Sequence, residues 1–265
     1  PWDLENWIAA RGALVAEAAV EALREATRHG VAATAARMGQ IETAAQARLN
    51  AAAHPAPATL RHAAAPGDVA VESVETPYAG YFSVSEYRLR HRLFSGGLSP
   101  VLRRAAFVSG DAVTVLPYDP ARDVVLLIEQ FRLGPFARSD PQPWSLEAIA
   151  GRLDPGEAPE DTARREAAEE AGLTLGRLVR VAGYYPTPGA KAEFLHAYLG
   201  LADLPGSAAG TGGAEAENED IRSHVIPFDR LMELVATGEV NNAPLILSAL
   251  HLDRRRAQLR AAAGH

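Results

Sequence analysis

Cysteine is missing from all 265 residues of the chain. Its absence excludes a disulfide framework, a thiol nucleophile and cysteine-ligated zinc. It suits a reducing, cytoplasmic setting, which is the expected location. No apolar run approaches the roughly 18 residues that span a bilayer, so no membrane partner is expected. No signal-type segment opens the chain, which begins at Pro1 without a methionine, as a trimmed polypeptide would. Positive charge is also in short supply, with 26 Lys and Arg against 33 Asp and Glu and a net charge of −7. That sign lacks the electrostatic footprint of a nucleic-acid binder. What remains, 48% apolar and 22% charged, is the make-up of a globular protein with one substantial core and a smaller appendage.

The negative charge is concentrated. Glu157, Glu160, Asp161, Glu166, Glu169 and Glu170 stand against only Arg164 and Arg165, and between Glu215 and Asp220 the four acids Glu215, Glu217, Glu219 and Asp220 have no base among them. The rest of the chain is close to neutral. Packed carboxylates repel one another unless they are solvated or hold cations. Charge alone leaves two readings: two solvated surface patches, or one hard-cation site assembled from two segments.

Organisation follows from periodicity. The first 65 residues hold 23 alanines. Leu4, Trp7, Ile8, Leu14 and Val15 share one helical face, His29-Gly30 ends that helix, and Val31, Ala35, Met38, Ile41, Ala45 and Leu49 continue at helical spacing. Residues 1–53 therefore read as a helical segment and 54–68, with His54-Pro-Ala-Pro and Ala65-Pro-Gly67, as a linker. Strand patterns begin at Val69. Along Val84–Phe94, Tyr87, Leu89, His91 and Leu93 alternate with Arg88, Arg90 and Arg92, either a half-buried strand with a solvated basic face or a wall for an anionic substrate. Further strands are predicted at Ala112–Pro117, Val124–Phe131, Trp144–Ala150, Leu178–Tyr185, Glu193–Leu199 and Ile221–Phe228. Helices are predicted from about Asp229 to Thr237 and from about Ala243 into Arg260, and the Gly-rich Leu204–Gly213 reads as a loop. Strands and helices mix without a βαβ rhythm, which predicts an α+β fold with a mixed or antiparallel sheet flanked by helices.

Gly151–Leu173 carries the chemistry. Pro159 suits a first helical turn, Glu160 and Asp161 complement the positive end of the dipole, and Gly172 is a natural residue just past a helix end. On the resulting helix, Glu166, Glu169 and Glu170 stand at i, i+3 and i+4 and share a face. Three carboxylates so placed destabilise an isolated helix, and a bound divalent cation reverses the sign of that effect. Oxygen donors without His or Cys at ligand spacing point to Mg²⁺ or Mn²⁺, metals that usually bridge to substrate phosphates.

This segment resembles the Nudix box, G-x5-E-x7-R-E-U-x-E-E-x-G-U. Gly151, Glu157, Arg165, Glu166, Glu169, Glu170 and Gly172 fill the fixed positions, with Ala167 and Leu173 at the aliphatic ones. At ordinary residue frequencies a chance match is roughly one in a million. The resemblance implies a Nudix α/β/α sandwich and hydrolysis of a nucleoside diphosphate linked to a second group. It implies Glu166 and Glu170 as metal ligands, with Glu169 sharing the cations and the carbonyl of Ala150 as a further ligand. Arg165 is implied to orient the carboxylates through Glu157, as structural support.

Outside the box the chain is similar to bacterial ADP-ribose pyrophosphatases. The likeness rests on Leu116-Pro-Tyr-Asp-Pro, Val125-Leu-Leu-Ile-Glu-Gln-Phe-Arg132, Pro188 and Glu217-Asn-Glu-Asp-Ile221. It implies Arg132 on the diphosphate, Glu217 as the loop carboxylate that activates or orients water, and Glu193 near the metals. Phe82 and the pair Arg103 and Arg104 are implied in adenine and dimer contacts. The products implied are AMP and ribose 5-phosphate. The resemblance also implies a homodimer with exchanged N-terminal strands, with the domain and those strands spanning 69–265. Cleavage of another nucleoside-diphosphate sugar such as GDP-mannose, or non-catalytic sensing of ADP-ribose, are the competing functions. Residues 1–53 faintly resemble the tail of a gamma-glutamylcyclotransferase-like domain, which implies a longer parent protein.

Overall fold

The computed structural model describes residues 3–212 and 220–264. The chain forms two compact units. One runs to Asp111 and includes Thr187–Phe194; the other comprises Ala112–Pro186 and the chain from Leu195 onward.

The first unit opens with α1 (Leu4–Trp7), capped by Asp3, whose carboxylate accepts the Asn6 N–H at 2.9 Å. A π-helical turn at Ile8–Gly12 leads into α2 (Ala13–His29), which stops at Gly30 with φ +86°. Then follow α3 (Val31–Ala35) and α4 (Met38–Ala53). Leu14 and Ala18 of α2 meet Ile41 and Ala45 of α4 in a small buried cluster. So many alanines leave little apolar area to bury, and ion pairs supplement it. Arg48 reaches Glu17 at 2.5 Å and Glu21 at 2.8 Å, and Arg37 pairs with the buried Glu25. Strands β1 (Val69–Ala79), β2 (Ser83–His91) and β3 (Leu102–Val108) form an antiparallel meander, with β9 (Lys191–Ala192) added in parallel to β3. Helix α2 is tied to β1 by Arg28–Glu75 at 2.9 Å and by His29 Nε2 to the Thr76 carbonyl at 2.8 Å. The basic face of β2 is answered locally: Arg88 and Arg90 lie 3.8 and 3.3 Å from Glu72, and Arg92 pairs with Asp68. Three arginines thus share two carboxylates, and their side chains stay about half exposed, as on a half-buried strand with a solvated basic face.

The second unit is built on β4 (Ala112–Asp119), β5 (Val124–Phe131), β6 (Trp144–Glu147), β7 (Ile149–Arg152), β8 (Leu178–Tyr184), β10 (Leu195–Leu201), β11 (Gly210–Gly212) and β12 (Ile221–Pro227). Their order is β11-β12-β5-β4-β10-β8, with β6 on β5 and β7 on β4. The β4–β10 pair is parallel and its neighbours antiparallel, so the sheet is mixed. Alternation along β5 divides the core. Leu126 and Ile128 pack with Ala163 and Ala167 of α6 (Pro159–Ala171). Val125 and Leu127 pack with Phe228, Leu231 and Leu234 of α7 (Phe228–Thr237) and with Leu245, Ala249 and Leu252 of α8 (Ala243–Ala262). Helices thus cover both faces, and the expected α+β sandwich is the fold of this unit. Among the described residues no helix is long and apolar enough to cross a membrane.

Two local readings differ. The apolar run Trp144–Ala150 looks continuous, but the chain changes partner at the buried Ala148, pairing with β5 before it and β4 after it. The loop Leu204–Gly213 contains a 3₁₀ turn at Gly206–Ala208 and β11, paired to β12.

Candidate active site

Helix α6 is defined at both ends by its sequence. Pro159 occupies the first turn, followed by Glu160 and Asp161, and Gly172 adopts φ +61°. The Gly172 N–H reaches the Ala168 carbonyl at 3.0 Å and Leu173 N–H the Ala167 carbonyl at 2.9 Å, which closes the last turn. Thr162, Ala163, Ala167 and Glu170 form the buried stripe. Ala167 is fully buried where a larger aliphatic residue is usual in the box. Its small side chain lets the helix sit close to the sheet.

That closeness explains Gly151. A Cβ built there would collide with the Glu166 carboxylate and lie 2.6 Å from its Cγ. Glu166 therefore lies directly over the backbone of β7, beside Ala150, which pairs with Thr114 on β4. One turn on, Glu170 is 2% exposed, whereas Glu169 stands at the surface.

Arg165 organises this cluster. It grips Glu157 with Nε and Nη2, both at 3.1 Å, and its Nη2 also donates to the Arg152 carbonyl at 3.1 Å. Its Nη1 donates to Glu166 Oε1 at 2.7 Å and to Glu169 Oε2 at 3.0 Å. Hydrogen bonding to Glu157 raises the guanidinium pKa further above its ordinary value. Burial opposes ionisation of Glu157, but hydrogen bonds from Arg165, Thr162 and the Asp154 backbone outweigh it and hold that carboxyl below its usual range.

Arg132, at the end of β5, is held by Glu147 of β6 through Nε at 3.0 and 3.1 Å and Nη2 at 2.6 Å. The sequence reading passed over Glu147; the alternation of Trp144-Ser-Leu-Glu147 was its only signal, placing Ser145 and Glu147 on one face. A cavity of about 580 Å³ opens at the C-terminal end of α6, lined by Glu169, Glu170, Asp203, Gly212 and Ser223. A Cβ on Gly212 would meet the Glu170 carbonyl at 2.5 Å. Glu217 lies outside the described residues. Among the described residues, no three His, Asp or Glu side chains converge tightly enough to form a ready-made cation cage.

The remaining expected residues lie in the first unit. Phe82 packs on Phe107 with ring centres 4.0 Å apart. Arg103 pairs with Glu86 at 2.6 Å, and Arg104 Nη1 donates to the Arg103 carbonyl at 3.0 Å. Glu193 accepts from Ser109 Oγ at 2.9 Å and pairs with Lys191 at 2.7 Å. The structure thus gathers Glu157, Glu166 and Glu169 around Arg165 in one unit, with Glu170 buried one turn past Glu166 on the same helix, and keeps Phe82, Arg103, Arg104 and Glu193 in the other.

The model of the NUDIX domain matches residues 108–248. The chain belongs to the Nudix family. It is 42% identical over 181 residues to an ADP-ribose pyrophosphatase of Escherichia coli (strain K12), covering 68% of this chain and 86% of that one. It is 31% identical over 150 residues to a GDP-mannose pyrophosphatase of Enterobacter sp. (strain 638), covering 57% and 77%. A solved structure of an ADP compounds hydrolase superposes with a TM-score of 0.57 at 20% identity, over 75% of this Nudix chain and 100% of that chain, a likeness of fold alone.

Proposed function

We propose that this Nudix protein hydrolyses the pyrophosphate linkage of ADP-ribose, with Mg²⁺ (or Mn²⁺), to AMP and ribose 5-phosphate. One observation carries the reading: the Glu166 carboxylate packed over Gly151, on a helix whose Glu170 is buried. These are hard oxygen donors of the kind Mg²⁺ takes, with no competing thiolate or imidazole. Glu166, Glu170 and the Ala150 carbonyl would hold the metal, Glu169 sharing it. The bound cation supplies charge neutralisation of the diphosphate and acidifies a water.

The chain's own residues do the rest. Arg132, pre-oriented by Glu147, binds the diphosphate. Arg165, anchored on Glu157 and the Arg152 carbonyl, sets the carboxylates. Glu217 takes the proton of the attacking water as its oxygen bonds to phosphorus and the P–O–P bridge breaks. Phe82, Arg103, Arg104 and Glu193 complete the substrate site in a homodimer; an active monomer in sedimentation counts against that part. The substrate is a small nucleotide sugar, with neither nucleic acid nor membrane as partner. Identity to the E. coli relative favours ADP-ribose, and the Enterobacter relative makes GDP-mannose the second reading.

AMP release from ADP-ribose, measured with Mg²⁺ and with EDTA alongside GDP-mannose, tests the proposal. Metal-dependent AMP release with ADP-ribose preferred is the expected result. Preference for GDP-mannose replaces the substrate, and binding of ADP-ribose without turnover reduces the protein to a sensor.

A further inference from the structure

A second cavity, of about 340 Å³, lies on the opposite face of the sheet from α6. The side chains of β5 alternate: Leu126 and Ile128 face α6, whereas Leu127 and Glu129 line this cavity. Its floor is apolar, formed by Leu127, Leu146, Ile226 and Leu234 where the core beneath α7 reaches the surface. One wall is the indole of Trp144, 53% exposed. The opposite wall is fixed by Gly238, which ends α7 at φ +82°, and by Asn242, which donates to the Leu146 carbonyl at 2.5 Å and caps α8. Asn241 is thereby held at the rim.

The polar groups are few and ordered. Glu129 accepts from His224 Nε2 at 2.9 Å, and Arg222 lies 3.6 Å from the same carboxylate. Gln142 and Asn241 add carboxamides, Glu239 adds a second carboxylate, and Arg230, on α7 and paired with Glu233 at 2.9 Å, stands at the rim. An adjoining cleft shares Glu129, Gln142 and Trp144 and extends to Asp220 and Arg222. None of these groups has a part in the proposed hydrolysis.

We propose that this cavity is a second nucleotide site, taking a nucleoside monophosphate on the sheet face away from the reacting centre. Each part of such a ligand has a counterpart. The base stacks on Trp144, whose face suits any planar heterocycle. Its hydrogen-bonding edge meets Glu129, His224 and the two carboxamides. The phosphate lies toward Arg222 and Arg230. An apolar floor with a small set of fixed polar groups, at the lower end of the size range of roughly 300–1,000 Å³, is the usual form of a small-molecule site. The proposed hydrolysis makes AMP the natural occupant, so the choice of base rests on that reading while the site itself does not.

The test is calorimetric titration of the full-length chain carrying Glu170→Gln, with EDTA present, so that binding at the hydrolytic site is suppressed. AMP, adenosine and ribose 5-phosphate are the probes, and GMP checks the base. The expected result is AMP binding that Trp144→Ala weakens about ten-fold or more and Trp144→Phe largely restores, with adenosine weaker than AMP and ribose 5-phosphate not binding. His224→Ala should also weaken AMP. In the otherwise native chain, Trp144→Phe should leave ADP-ribose turnover unchanged. GMP binding better than AMP keeps the site and changes its ligand. No AMP binding, or binding indifferent to both Trp144→Ala and His224→Ala, overturns the proposal whether or not ADP-ribose is hydrolysed.

Discussion

Arg132, one residue past β5, reaches back along β6 to Glu147, which stands opposite Ile128; the two are joined by a fork, with Nε at 3.0 Å and Nη2 at 2.6 Å from the carboxylate oxygens. The fork fixes the plane of the guanidinium as well as its position. A side chain so held loses less freedom when an anion arrives. Glu147→Gln should keep a hydrogen bond and lose the charge, raising KM about three- to ten-fold with kcat little changed. Arg132→Lys should be worse, because a point charge does not reproduce the fork. Steady-state kinetics with ADP-ribose separates these outcomes, and an unchanged KM in both variants removes Arg132 from substrate binding.

Arg165 touches Glu157, Glu166 and Glu169 together with the Arg152 carbonyl. Arg165→Ala leaves partly buried carboxylates facing one another without a counter-charge. A loss of about 1–3 kcal/mol in denaturant unfolding is expected, below the buried-pair range because the side chain keeps some solvent contact. Added Mg²⁺ should recover part of it.

Gly151→Ala drives a methyl group into Glu166. Because the obstacle is a functional side chain, the damage should fall on activity before stability: a ten-fold or larger drop in kcat on the order of the cost of misplaced catalytic groups, with unfolding free energy reduced by about 1–3 kcal/mol. A crystal structure of the variant with Glu166 undisplaced contradicts this account.

Glu217→Gln should lower kcat by about 10²–10⁴ with little change in KM. Glu166→Gln and Glu170→Gln should instead lose the response to Mg²⁺. A metal titration of activity distinguishes the two patterns.

Stability should fall in acid partly through Asp123. Burial opposes its ionisation, but hydrogen bonds from Arg256 and Tyr118 prevail and hold its carboxyl below the ordinary range. A depressed folded pKa gives stabilisation that is complete above the unfolded carboxylate pKa near ~4 and disappears as pH falls through the folded value. Arg256→Gln should therefore lower Tm at pH 7 and flatten the decline of Tm between pH 5 and 2, as about expected from this linkage. Arg260 and Tyr118 also contact Asp123, so a slope unchanged by Arg256→Gln excludes Arg256 as the source of the depression, and one unchanged by Arg256→Gln with Arg260→Gln excludes Asp123.

The helix of the box was legible almost residue by residue, because Pro159, the acidic first turn and Gly172 are local signals. Strand β5 was equally plain, bounded as read at Val124 and Phe131. The break at Ala148 was not, since nothing local distinguishes one buried strand from two that pair with different neighbours. Glu147 escaped notice for a related reason: its partner Arg132 is fifteen residues away and becomes adjacent only through sheet pairing. The far cavity was invisible too, because its walls come from β5, β6, β12 and α7. For Arg88, Arg90 and Arg92 alternation alone left a solvated basic face and an anion wall both open, because their partners Glu72 and Asp68 lie on other segments.

The partner change at Ala148 has a mechanical corollary. Glu147 on one side and Ala150 with Gly151 on the other belong to a single short stretch of extended backbone, anchored left and right to β5 and β4. The grip on the anion and the seat of the carboxylates are thus set by one ruler. Lengthening that ruler by a residue would put both out of step together, however intact each remained on its own.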